Sequence, residues 1–159
     1  MAIQSGLSES AAKELLKKDP DQLYELLGMT AKAVEEDIGK QGSFEPEVVY
    51  SPHMGLMDDL RKIGRRMFNR AQRQAYDLVC GSNPEDEEDR RKIITALGIS
   101  SAAAVIALAG VLVSTFGLAA AFAGVIAPLI IKRFAEPVLE DGYKGFCELW
   151  KEDLPQSNE

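Results

Sequence analysis

Few residues of this chain could carry chemistry. It has one histidine, His53, two cysteines, Cys80 and Cys147, and more carboxylates than bases. A histidine that works as a general base needs a nucleophile to deprotonate and a carboxylate to orient it. Neither stands at a recognisable spacing from His53, and no arginine precedes it, so the Arg-x4-His pattern of one helical ribonuclease class is absent. His53 is read as a solvent-facing or helix-start residue. The two cysteines and one histidine lack metal-ligand spacing, and the cysteines are expected to be reduced, packed thiols. No phosphate loop, GxSxG or HExxH occurs. The carboxylates cluster in helix caps and on solvated faces. These features predict a non-enzymatic protein with no cofactor and no metal.

The basic residues offer more. Over residues 54–80, Leu56, Met57, Leu60, Ile63, Met67, Phe68, Ala71, Ala75, Leu78 and Val79 recur at helical spacing. The opposite face carries Arg61, Lys62, Arg65, Arg66, Arg70 and Arg73, with no acid between 61 and 73. Such a face either is solvated or contacts anionic lipid or another anionic ligand; near an anionic membrane each base contributes about 1 kcal/mol. The net charge of −7 argues against nucleic acid as the partner of the whole chain. Acids at 35, 36 and 37 also repel phosphate from any helix-turn-helix reading of the N-terminal part.

The element that must position everything else is a charge-free segment, residues 93–131. It lies between Arg90, Arg91 and Lys92 on one side and Lys132 and Arg133 on the other. As one helix it would be roughly 58 Å long, against a bilayer core of about 30 Å. Two passes with a turn at residues 114–117 fit better. Ala103, Ala107 and Gly110 share a face of the first arm, and Gly117, Ala121 and Gly124 a face of the second. Faces of that kind let helices approach closely in lipid. The basic flanks both lie outside the hairpin, which predicts an integral membrane protein with both termini in the cytoplasm. The alternative is a hairpin buried in the core of a soluble helical oligomer. A chain of 159 residues has limited interior for it.

The expected fold is all-α: a cytosolic helical domain around a two-helix transmembrane hairpin. Residues 1–39 form a cap of three short helices. The first starts at Ser8; the second starts at Asp19 and Pro20 with Gln22 completing a capping box, and ends at Gly28; the third starts at Thr30. No signal peptide is visible at the N-terminus. Residues 40–53 are a linker. Residues 54–92 hold the amphipathic helix and the start of a helix that begins at Asn83 and Pro84 and runs unbroken into the hairpin, residues 93–131. Residues 132–159 form a C-terminal amphipathic helix restarted by Pro137, with Phe146 and Cys147 among its apolar residues and Tyr143 and Trp150 packing on the 54–80 helix, and a polar tail over 155–159.

This layout resembles that of small bacterial membrane effectors of defence or toxin systems. The resemblance implies a homo-oligomer in contact with membrane lipid, perturbing or permeabilising the bilayer, with a cytosolic helical part that senses or recruits. The competing expectation is a non-enzymatic scaffold or adaptor, anchored by the hairpin or soluble with the hairpin buried, whose partner is a cytosolic protein or an anionic ligand.

Overall fold

A computed structural model describes residues 6–154, and all regular structure within them is helical. Helix α1 (Glu9–Leu16) starts where the Ser8 hydroxyl accepts the Ala11 amide at 3.1 Å. Helix α2 (Pro20–Glu36) starts on the expected capping box: Asp19 accepts the Gln22 amide at 2.9 Å and Gln22 accepts the Asp19 amide at 3.0 Å. The helix does not stop at Gly28 and restart at Thr30; it runs through both. The reason is packing against α3 (Met57–Cys80). A Cβ on Gly28 would collide with the Leu60 carbonyl oxygen, and one on Gly64 with that of Tyr24. Both glycines are needed for two backbones to touch at the crossing, not for positive φ. Thr30 is buried and turns its hydroxyl back on the Leu26 carbonyl at 2.7 Å.

The charge-free segment is not one apolar unit. Helix α4 (Glu87–Leu97) ends at Gly98, and α5 (Ser101–Ser114) starts anew from Ser100, whose hydroxyl accepts the Ala103 amide at 3.0 Å. The expected continuous helix from the acidic turn into the first arm is thus broken. Thr115, expected on the far side of a bilayer, donates to Asp89 of α4 at 2.6 Å. Gly117 takes φ +70°, turning the chain at the predicted place into α6 (Ala120–Ile130). At 14 and 11 residues, α5 and α6 reach roughly 21 and 16 Å. No described helix is long and apolar enough to cross a membrane, which overturns the transmembrane hairpin and, with it, the integral membrane localisation. Apolar helices of 10–14 residues are core helices more often than spans.

Helix α6 is the core's centre. All of its residues but Phe122 are buried, and α1, α2, α5 and the 38–42 turn pack around it. A helix that is apolar all round must be enclosed; here its alanines and Gly124 keep it thin enough for a small chain to enclose it. A π-turn (Ile131–Ala135) and a tight turn (Glu136–Asp141) replace the helix start expected at Pro137, and α7 (Gly142–Asp153) follows.

Helix α7 packs on α3 as expected. Trp150 is fully buried, stacked on Phe134 at 5.6 Å and edge-on to Tyr76 at 5.4 Å. Its indole N–H donates to Gln72 Oε1 at 3.2 Å, and Gln72 donates to Asn69 at 3.0 Å, so this buried polar pair is satisfied. The cysteines are not free thiols: Cys80, at the end of α3, is disulfide-bonded to Cys147 of α7. The polar tail expected over 155–159 and the N-terminus read for a signal peptide lie, for residues 1–5 and 155–159, outside the described residues.

Three tyrosines carry a pH dependence. Burial pushes the phenols of Tyr24, Tyr76 and Tyr143 above their ordinary value of 10.0, because the phenolate loses its hydration. An acid whose pKa is higher in the folded chain holds its proton more tightly there. Its stabilising effect is complete below pH 10 and is lost as pH rises through the folded value. Melting temperatures from these groups should be level up to about pH 10 and fall above it, in step with phenolate absorbance. Phenolate appearing well before any loss of structure would contradict this.

Candidate functional site

The outer face of α3 holds the predicted bases, and the structure divides them. Arg61 Nε donates to Glu25 of α2 at 2.9 Å, and its other end lies 3.4 Å from Asp58. The hydrogen bond to Glu25 raises its pKa further. Arg65 reaches Asp21 at 3.2 Å and lies over the Tyr24 ring, 5.4 Å from its centroid. These two therefore fasten α3 to α2. Lys62, Arg66 and Arg70 are exposed and make no ion pair among the described residues. They recur every fourth residue, so they form one stripe roughly 12 Å long. Arg73 is exposed near its end. Asp59, one turn before Lys62, and Asp77, one turn after Arg73, bound the stripe.

His53 has company that its sequence neighbourhood does not announce. Its Nε2 lies 2.7 Å from Glu36 Oε1, and Ser51 Oγ is 3.2 Å from Nδ1 and 3.4 Å from Nε2. Serine, histidine and carboxylate suggest a hydrolytic triad, but the geometry is wrong for one. An oxygen in line with one ring nitrogen lies far from the other; near-equal distances put Ser51 Oγ off the ring plane. In a triad the serine and the acid face opposite nitrogens in that plane. His53 and Glu36 are also 65% and 54% exposed, so nothing there shields a charge developing in a transition state.

Three of the five bases expected to flank a membrane span, Arg90, Lys132 and Arg133, tie elements of the fold together. Arg90 donates to the carbonyls of Leu78 and Asn83, at 3.1 and 3.4 Å, closing the end of α3. Arg91 pairs with Glu87 at 2.9 Å, and Lys92 is exposed. Lys132 donates to the Leu16 carbonyl at 2.7 Å and lies 3.3 Å from Glu136. Arg133 joins Tyr24 and Asp153 at 2.8 and 2.7 Å and covers the Phe134 ring. Comparison with family models, curated proteins and solved structures finds no match to this chain.

The small residues proposed for helix packing occupy different surroundings. Ala103, Ala107 and Gly110 lie on the half-exposed side of α5, and a Cβ at Gly110 would enter open space. Gly117 is the turn residue. Ala121 is buried, and Gly124 receives the Phe44 carbonyl of the loop before α3. Among the described residues no group of three or more metal-ligating side chains gathers. Sequence reasoning missed the loop on α6, the glycine crossing and the disulfide. Only the crossing had a local signal: Gly64 stands inside the clearest helical pattern of the chain, where an isolated glycine needs a packing reason.

Proposed function

We propose that this chain is a non-enzymatic docking module, an adaptor whose α3 face contacts an anionic lipid surface. The observation that carries the reading is the division of the α3 bases: Arg61 and Arg65 are consumed by α2, whereas Lys62, Arg66 and Arg70 stand exposed in one line. In a chain of net charge −7, three such bases side by side attract anions only at short range, since charge is screened over about 8–10 Å in ordinary salt. A flat, densely anionic surface suits them better than an isolated ligand. The bilayer-perturbing effector rested on a transmembrane hairpin, and no described helix is long and apolar enough to cross a membrane; the adaptor does not depend on one.

The test is co-sedimentation of the full chain with vesicles of phosphatidylcholine alone or mixed with phosphatidylserine. Replacing Lys62, Arg66 and Arg70 by Gln preserves helix propensity and breaks no ion pair within the described residues. At about 1 kcal/mol per base, binding to the anionic vesicles should fall roughly a hundredfold at low salt, and salt alone should weaken the unaltered protein in the same way. Equal binding by the variant, or no preference for phosphatidylserine, contradicts the proposal. Displacement by nucleic acid at concentrations where an equal charge of acidic peptide fails would move the partner to another class.

A further inference from the structure

A cavity of about 200 Å³ lies where α1, α2, α6 and the loop before α3 converge, with no residue of α3 in its lining. Leu15, Leu26, Val48 and Val125 supply its walls, and Phe44 with its neighbours its roof. The roof exists because Gly124 has no side chain, which lets the Phe44 carbonyl rest on α6. The Thr30 hydroxyl also lines the space but donates to the Leu26 carbonyl, so the interior is apolar in effect. Both ionisable residues that line it are acids, Glu14 and Glu45. Glu45 accepts the Ser8 amide at 3.0 Å, and Glu14 accepts Lys17 Nζ at 2.9 Å. The Glu14–Lys17 pair is 69% and 71% exposed; such pairs contribute little, so Glu14 can exchange Lys17 for another cation.

We propose that this cavity binds a small apolar amine, with a ring or branched aliphatic group inside and its ammonium at the mouth against Glu14. Size and charge each narrow the class. Apolar cavities of roughly 150 Å³ take up benzene, whereas sites for larger ligands run to about 300–1,000 Å³. A long acyl chain or a nucleotide does not fit. A carboxylate or phosphate would meet two acids and no base in the lining. This site is independent of the α3 face.

The experiment uses the full chain with benzylamine, benzyl alcohol and benzoate, followed by ligand-observed NMR titration. Benzylamine should bind most tightly, benzyl alcohol next, and benzoate least. Ala11→Trp fills the space from α1 while keeping the Ala11 amide that caps the helix, and should abolish binding of all three. Glu14→Gln changes only an exposed side chain; it should weaken benzylamine about fivefold, the size of a surface ion pair, and leave benzyl alcohol unchanged. The Lys62, Arg66 and Arg70 to Gln variant should bind benzylamine normally. Benzoate binding as tightly as benzylamine, or benzylamine binding unaffected by either substitution at the cavity, overturns the proposal, as does the absence of saturable benzylamine binding.

Discussion

Gly64→Ala should lower the stability of this protein by about 3 kcal/mol, the upper end of overpacking costs. A methyl group there would run into the Tyr24 carbonyl oxygen, and one at Gly28 into that of Leu60. The obstacle is backbone in both cases, so no side-chain rotation relieves it; α2 and α3 must separate. Separation strains the ties that cross the interface, from Arg61 to Glu25 and from Arg65 to Asp21. Alanine's better helix propensity returns up to about 1 kcal/mol, which the separation has to exceed. At roughly 2–4 °C per kcal/mol for a chain of this size, Tm should fall by about 6–12 °C. Gly110→Ala is the matched control. Its Cβ meets open space on α5, so the same exchange should stabilise by about 0.5–1 kcal/mol. Thermal melts of the two single variants check this. Similar Tm values for Gly64→Ala and Gly110→Ala would remove the close crossing from the account. A loss of stability at Gly110 would instead show that the small-residue side of α5 is covered by another surface.

Removing the disulfide should cost about 4 kcal/mol. Cys80 and Cys147 are 67 residues apart, and cross-linking a loop of that length restricts the unfolded chain by about that amount in the chain-entropy treatment. The loop it closes contains α4, α5 and α6, so the bond encloses the whole charge-free segment and holds α7 on α3 beyond it. Cys80→Ser with Cys147→Ser, or the reduced wild-type protein, should unfold at correspondingly lower denaturant with nearly native helix content before the transition. Denaturant midpoints with and without reductant measure it. An unchanged midpoint would mean that the bond contributes nothing to the stability of the fold.

How much of this was legible follows from the range of the interactions involved. Local signals carried the helix starts: the Ser8 cap, the Asp19–Gln22 box and the turn at Gly117 are each settled within four residues of chain, and all three appear. The amphipathic pattern of α3 likewise located most of its buried face, from Leu60 to Val79, and its basic one, whereas Leu56 precedes the helix and is exposed. Gly28 and Thr30 misled because a glycine that ends a helix and a glycine that admits a neighbouring helix look alike without the neighbour. The charge-free segment misled for a related reason. It carries no charge from end to end, so Gly98 and Ser100 do not stand out in it as a break, yet they separate two helices too short for a span. Burial within the chain also depended on α1, α2 and α7 folding over the segment, an arrangement no local pattern records. The six bases of α3 were legible on one face, but which of them are already engaged required the position of Asp21 and Glu25 on another helix. The His53 cluster and the cavity at Gly124 join segments distant in sequence, and neither left a local mark.

Helix α6 and the buried side of α5 form the interior of this protein's own helical bundle. Amide hydrogen exchange on the purified full chain, without detergent and then with vesicles, tests it most directly. Amides of α5 and α6 should be among the slowest in the molecule in buffer alone, opening only with global unfolding, and vesicles should leave them unchanged even where α3 binds lipid. Rapid exchange of the α5 and α6 amides in buffer, slowed only when vesicles are supplied, would contradict it and return the hairpin to the membrane.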